Sequence, residues 1–345
     1  MLNLTTQRVA VGLVLALCTA AGCDRILDRQ IEQGVNRADQ SMLTKPDLQV
    51  VLCGTGSPLP DKDRAGPCTA IVAGGQVVLV DVGPGAWESL DLSGVPTGAL
   101  SAVLLTHFHS DHIGDLGEAI TQSWISGRTQ PLDIYGPAGT TKVVDGFDQA
   151  YSFDADYRTL HHGEEYMPRA AAPAVGHDVP LGEAQDADAV VFDRNGLKVT
   201  MFRVHHDPVT PAVGYRFDYN GRSVVISGDT GKSVGVATHA KGADILIHEA
   251  LNREMMGRIS EVAGRVGQPR LGKMAHDTLN YHTSPVEAAE LARDAGVPTL
   301  VLTHVVPGPR NAIMRSMFLD GVSDVYSGEV IVGEDGQRFS LPPKS

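Results

Sequence analysis

The most constraining stretch of this chain is Thr106-His107-Phe108-His109-Ser110-Asp111-His112, which directly follows the apolar run Ala102-Val103-Leu104-Leu105. Imidazole nitrogen and carboxylate oxygen are ligands for zinc, and also for manganese or iron. An apolar strand that enters a tight turn before a helix, read here over residues 113–124, fans such groups around a small volume. Three histidines and an aspartate within six residues make poor core filler, because each would need its own buried partner.

One loop does not complete two metal sites, so further ligands are expected at other strand exits, where rigid scaffolds carry reactive groups. Three candidates fit. His205-His206 closes the strand read over 199–204, Asp229 follows the strand 223–226 through Ser227-Gly228, and His304 follows the strand 300–303.

The rest of the chain places these groups. Arg8, the apolar run 9–17 and the small residues Ala20-Ala21-Gly22-Cys23 have the order of a secretory signal, too short to span a bilayer comfortably. The ending resembles a bacterial lipoprotein box. Residues 1–23 are therefore expected to be a lipoprotein-type signal peptide, with Cys23 as a lipid anchor to the membrane of a bacterial cell envelope. Residues 24–46 read as a tether with a short amphipathic helix carrying Ile26, Leu27, Ile31 and Val35. The globular body is expected over 47–345. In an exported chain Cys53 and Cys68 either bridge adjacent strands or remain two semi-buried thiols.

Within the body, strands and helices alternate once in each half, which fits two sheets flanked by helices. Asn220-Gly221 signals a hairpin turn. Ser284-Pro285-Val286-Glu287 has the form of a capping box, with Gly296 at the far end of its helix. Residues 150–195 read as irregular. The formal net charge of -13 repels phosphate backbones at long range and counts against a nucleic-acid partner.

Taken together, Gly54-Thr55-Gly56, Asp81-Val82-Gly83, the Thr106–His112 segment, Pro211-Ala212-Val213-Gly214-Tyr215-Arg216, Ser227-Gly228-Asp229-Thr230, His248-Glu249-Ala250, Tyr281-His282-Thr283-Ser284 and Thr303-His304 carry a resemblance. The series resembles the metallo-β-lactamase superfamily, and within it the ribonuclease Z and arylsulfatase-like branch. The resemblance implies an α/β fold, a four-layer αββα sandwich, over 47–345. It also implies two divalent metal ions, zinc first, with manganese or iron as alternatives. On that pattern His107, His109 and His206 hold the first ion, Asp111, His112 and His304 hold the second, and Asp229 bridges them. His206 is preferred to His205 for its spacing to Pro211-Ala212. The nucleophile is then a metal-bound hydroxide oriented by Asp111, and His282 matches the general acid, with His248 and Glu249 in support. Asp81 is expected to brace the metal loop by hydrogen bonding.

The implied reaction is hydrolysis of a phosphodiester or sulfate ester. Export and acidity together lead to the expectation of a small anionic ester as substrate, with nucleic acid unlikely. A homodimer is open. A lactonase or thioesterase is the alternative of the same class, and a non-catalytic metal-binding envelope lipoprotein is the alternative of another. A β-lactamase is disfavoured, because no bridging aspartate such as Asp229 is expected there. Residues 251–280, with Met255, Met256, Met274, Arg258, Arg265, Arg270 and Lys273, form either a lid or a solvated helix. His161, His162, His177, His239 and His276 read as surface or lid histidines.

Overall fold

The computed structural model describes residues 20–35 and 37–344. They fall into two units, one up to Asp39 and one from Gln40 onward. In the first, the helix Ala20–Val35 leaves Ile26, Leu27, Ile31 and Val35 exposed. The expected signal at 1–23 lies outside the described residues except where this helix begins. Among the described residues no helix is long and apolar enough to cross a membrane.

The second unit starts at Gln40, earlier than the expected 47. Met42 is buried against the first sheet, and its carbonyl accepts from Gln49 Nε2 at 2.8 Å. Two seven-stranded sheets follow. The first is built from β1 (Leu48–Gly54), β2 (Cys68–Ala73), β3 (Gln76–Val80), β4 (Leu100–Leu104), β5 (Leu132–Gly136) and β6 (Ala174–Asp178). The second contains β7 (Asp188–Arg194), β8 (Leu197–Arg203), β9 (Val213–Tyr219), β10 (Arg222–Ile226), β11 (Ile245–Leu251), β12 (Thr299–Val306) and β13 (Glu329–Val332). The last strand, β14 (Arg338–Leu341), returns to the first sheet beside β1. Each sheet begins as an antiparallel meander and continues in parallel, β3 through β6 in one and β10 through β13 in the other.

Strand alternation builds the layers. Along β1, Leu48, Val50 and Leu52 point into the core between the sheets, while Val51 and Cys53 point outward under Trp87, Leu90 and Leu116. The outer face of the second sheet is covered by the helix Pro285–Ala295, through Ala288, Leu291 and Ala292, and by Phe318. The central strands are buried on both faces, as a helix-covered sheet requires. The result is the four-layer αββα sandwich.

The expected caps form. Ser284 and Glu287 make a reciprocal capping box, and Gly296 ends that helix at φ 68°. The reading of 150–195 as irregular is corrected, since the helix Thr140–His162 and the strands β6 and β7 occupy most of it. Only Thr140 and Val144 of that helix are buried, so its sequence carries little of the apolar period that marks a packed helix. Cys53 and Cys68 are joined as a disulfide. Cys53 is the extra residue where the β1–β2 register shifts between Leu52 and Gly54, which brings the two Cα atoms to 4.9 Å.

Candidate metal centre

The parallel strands of both sheets end at the same edge of the sandwich, and the seven candidate ligands meet there. From the first sheet, β4 runs into the turn that carries His107, His109, Asp111 and His112. From the second, His206 lies beyond β8, Asp229 beyond β10 and His304 within β12. His304 has φ 44° and is the unpaired residue at a bulge, because Glu249 pairs with Thr303 and Ala250 with Val305. The bulge turns this side chain out of the ladder toward the site. Gly228, at φ 61°, permits the approach of the Asp229 turn. A Cβ there would meet the Val213 carbonyl oxygen at 2.6 Å and the Thr106 side chain at 2.9 Å.

The ligating atoms form overlapping groups: His107, His109, His206 and Asp229; Asp111, His112 and His304; and Asp229, His282 and His304. Asp229 Oδ2 is the common point. It lies 3.2 Å from His112 Nε2, 3.3 Å from His304 Nε2, and 3.9 Å from both His107 Nε2 and His206 Nε2. Asp111 Oδ2 stands 3.3 Å from His304 Nε2 and 3.7 Å from His112 Nε2. Ligands bound to zinc at about 2.0–2.2 Å in a tetrahedron lie about 3.3 Å apart. His107 Nε2 and His109 Nδ1 face each other at 2.9 Å. His206 Nε2 and Asp229 Oδ1 are buried with no hydrogen-bond partner. These nitrogen and carboxylate donors, with their buried free lone pairs, fit divalent cations.

The ring nitrogens that face away from the centre are held. His112 Nδ1 pairs with Asp81 Oδ2 at 2.8 Å, and His206 Nδ1 with the Tyr281 carbonyl oxygen at 3.1 Å. Each such bond fixes the tautomer that leaves Nε2 as a lone pair. Asp81, itself at φ 57°, also accepts from the Thr106 amide at 2.8 Å and the Thr106 hydroxyl at 2.7 Å. Thr106 and Tyr281 were not singled out by sequence reasoning as supports. Their one signal was adjacency to a histidine.

The electrostatics are those of a site built for positive charge. Burial pushes the His107 imidazole well below its ordinary value, and neighbouring His112 adds to the effect. Burial also lowers His206. For His112, burial is outweighed by the carboxylates of Asp229 and Asp81, which hold it well above the usual range. Burial alone would raise Asp229, but His304 and His112 hold its carboxyl well below the usual range. Neutral His107 and His206 and an ionised Asp229 are the protonation states that a bound cation needs, whereas His112 would give up its Nε2 proton to bind one.

His282 lines the cleft next to these groups, with Nδ1 3.2 Å from Glu249 Oε2. The two are close enough to pair but off the line of a good hydrogen bond. Glu249 Oε1 accepts from the amides of Thr283 at 2.8 Å and Thr230 at 3.3 Å. Despite burial, Glu249 raises the pKa of His282.

His248 is not brought to the site. Along β11, Leu246 and Ala250 face the outer helices and Ile245 and Ile247 face the inner core, so alternation turns Glu249 inward and His248 outward. Its Nδ1 rests 2.7 Å from the neighbouring Glu249 carbonyl oxygen. His205 is exposed beside Asp207, while His206 is buried. His177 stacks on Tyr135 and pairs with Asp133, His239 stacks on Phe202, and His161, His162 and His276 are exposed. Residues 251–280 form the helices Arg253–Arg265 and Pro269–Asp277, and their Met256, Ile259, Leu271 and Met274 wall a cleft of about 310 Å³ over the centre.

Comparison with known proteins agrees with this geometry. Residues 76–305 match the family model of the beta-lactamase superfamily domain. A ribonuclease Z of Mycolicibacterium paratuberculosis is 40% identical over 301 residues, 86% of this chain and 100% of that protein. A ribonuclease Z of Mycobacterium bovis is 38% identical over 303 residues, 86% of this chain and 99% of that protein. Among solved structures, the short form of human tRNase Z superposes with a TM-score of 0.59 at 24% identity, covering 86% of this chain and 100% of that one. YhfI of Bacillus subtilis, a metallo-beta-lactamase fold protein, gives 0.60 at 21% identity, covering 85% and 99%.

These relatives overturn one expectation. A small anionic ester as substrate, with nucleic acid unlikely, does not stand against 40% identity over 86% of this chain to a protein named ribonuclease Z. The physical error lies in the net charge, a sum over the whole surface that says nothing of the cations around one cleft. The chain belongs to the metallo-β-lactamase superfamily of metal-dependent hydrolases, among its ribonuclease Z relatives.

Proposed function

We propose that this chain is a dinuclear-metal phosphodiesterase that cleaves RNA. The observation that carries this is the meeting of two donor sets at Asp229, at the foot of an open cleft. The match to ribonuclease Z over 86% of this chain supports the phosphodiester rather than the sulfate ester. His107, His109 and His206 would hold one ion, Asp111, His112 and His304 the other, with Asp229 between them. When bound, such a pair activates a water and neutralises charge on the attacking and leaving oxygens.

The chain's own groups do the rest. A water oxygen forms the new bond to phosphorus, and the ester P–O bond breaks with its electron pair on the leaving oxygen. Asp111, at the cleft wall, orients the water and takes the proton that its oxygen loses on bonding to phosphorus. Glu249 beside Nδ1 favours the protonated form of His282, whose Nε2 then gives its proton to the leaving oxygen. Thr283 and Thr230 fix Glu249 through their amides, so the acid is positioned before substrate arrives.

The test is cleavage of an end-labelled transfer-RNA transcript by zinc-loaded protein, with bis(p-nitrophenyl) phosphate alongside. Discrete RNA fragments are expected, lost in chelator and regained with zinc. Intact RNA with continued hydrolysis of the chromogenic diester would contradict the RNA assignment.

We also propose an envelope location with lipid at Cys23, supported by the signal-like order of residues 8–23 and by the Cys53–Cys68 bridge, which suits an oxidising compartment. Palmitate labelling of the membrane fraction, abolished in Cys23→Ala, is expected. Unlabelled protein in the cytosolic fraction would refute it.

A further inference from the structure

A second cavity, of about 510 Å³, lies against the metal cleft and shares Leu59 and Ile259 with it as a common wall. Val305, the residue after His304, lines its floor. The cavity is therefore continuous with the site in chain and in space, yet it contains none of the candidate ligands.

Its chemistry differs from that of the chain as a whole. The protein carries 28 lysines and arginines against 41 aspartates and glutamates, but this groove is lined by Arg64, Arg258 and Arg310 against Asp61 alone. Arg64 is occupied with structure, bonding the Thr55 hydroxyl and the Gly333 carbonyl oxygen. The other two are on the rim. The Arg258 side chain is 70% exposed and 4.0 Å from Glu254, and that of Arg310 is 62% exposed and 3.6 Å from Asp61. Arg310 also donates from Nη2 to the Pro60 carbonyl oxygen at 3.1 Å, while the Arg258 pair, exposed at both ends, is screened and easily exchanged for a stronger anion. Between these cations Met255, Met314 and Met317 line the groove. Thioethers are polarizable, unbranched and suited to the edges and faces of flat aromatic rings of varied shape. A strand of RNA presents one flat base and one phosphate per residue, which this combination of methionine and arginine matches.

We propose, building on the RNA reading above, that this groove holds the nucleotide adjoining the scissile phosphodiester. Its base lies against Met255, Met314 and Met317, and its phosphate lies on Arg258 and Arg310. The strand then crosses the ridge of Leu59 and Ile259 between the two cavities. Binding here is sequence-tolerant, because neither methionine nor a phosphate contact reads base edges.

The test compares the zinc-loaded full chain with two double variants of equal charge change. One is Arg258→Glu/Arg310→Glu in the groove. The other is Arg265→Glu/Lys273→Glu, on the helices Arg253–Arg265 and Pro269–Asp277 but outside the groove. On the transfer-RNA transcript, the groove variant is expected to raise KM about tenfold or more with kcat little changed. The log–log salt dependence of its kcat/KM should become shallower by about 0.7, the value for one lost single-strand phosphate contact. Hydrolysis of bis(p-nitrophenyl) phosphate, which has no adjoining nucleotide, should stay at the wild-type rate. The outer variant should move the RNA KM by much less. Equal KM shifts in both variants would show general electrostatics and overturn the groove. So would parallel loss of the chromogenic activity, which marks damage to the fold or cleft. RNA cleavage unaffected in the groove variant removes this inference while leaving the RNA reading intact. A wild-type chain that hydrolyses the chromogenic diester but not RNA removes both.

Discussion

Each half of the molecule sets one buried carboxylate behind one histidine, and the two pairs differ in how tightly they are held. In the first half Asp81, beyond β3, is fully engaged by the Thr106 amide, the Thr106 hydroxyl and His112 Nδ1, all within 2.8 Å. In the second half Glu249, on β11, spends one oxygen on two amides and leaves the other to His282 alone, at 3.2 Å and off-axis. A rigid pair suits a metal ligand, whose lone pair must not wander. A looser pair suits a proton donor, which must change charge and shift slightly during each turnover. The halves differ in sequence as well. The first gathers four candidate ligands into one turn, and the second spreads three over the exits of separate strands.

The comparison breaks first at Asp229, whose Oδ2 lies within 3.9 Å of histidines from both donor sets. Asp229→Ala is expected to lower kcat/KM by about 10⁴-fold or more, because charge stabilisation from the pair of ions is lost together. Metal content, measured in parallel, should fall below the wild-type level. Next comes His282→Ala, expected to lower kcat on RNA by about 10³-fold, within the range of a removed general acid. Metal content should remain that of wild type, and bis(p-nitrophenyl) phosphate, whose leaving group needs no proton, should lose far less. Equal loss on both substrates would deny His282 the proton.

Asp81→Ala sharpens the contrast from the other side. It should weaken metal affinity by about 10–100-fold, as loss of a partner behind a ligand does, while activity at saturating zinc largely recovers. Glu249→Gln should do the reverse, leaving metal affinity intact and lowering kcat by about tenfold, by analogy with the loss of an orienting partner. The smallest effect on activity belongs to Cys53→Ser/Cys68→Ser. Opening that loop of some 15 residues should cost about 3 kcal/mol of stability in chemical denaturation, with the catalytic rate at 25 °C nearly unchanged.

How much was legible in the sequence follows the same division. His107, His109, Asp111 and His112 were visible at once because four donors share one turn. His206, Asp229 and His304 were visible only as polar residues at the ends of apolar runs, and their convergence required the fold. His248 misled because adjacency to Glu249 in sequence means opposite faces on a strand. The helix Thr140–His162 was missed because Phe153, Tyr157 and Leu160 are exposed, so its apolar residues do not mark a buried face. The disulfide turned on a bulge that spacing does not reveal. The groove beside the metal cleft draws on the loop after β1, the helix after β11 and the segment after β12, and no local pattern joins these pieces. The net charge was the most misleading number, since it pointed away from RNA while rim arginines stood beside the site.

The central claim is that the two halves build a single two-ion centre, and metal content per chain tests it most directly. Protein purified without chelator should hold about two zinc, manganese or iron ions per chain, should lose them and its hydrolase activity together in chelator, and should melt at a lower temperature without them. Protein that carries no metal after mild purification, and whose melting temperature does not change in chelator, would contradict it.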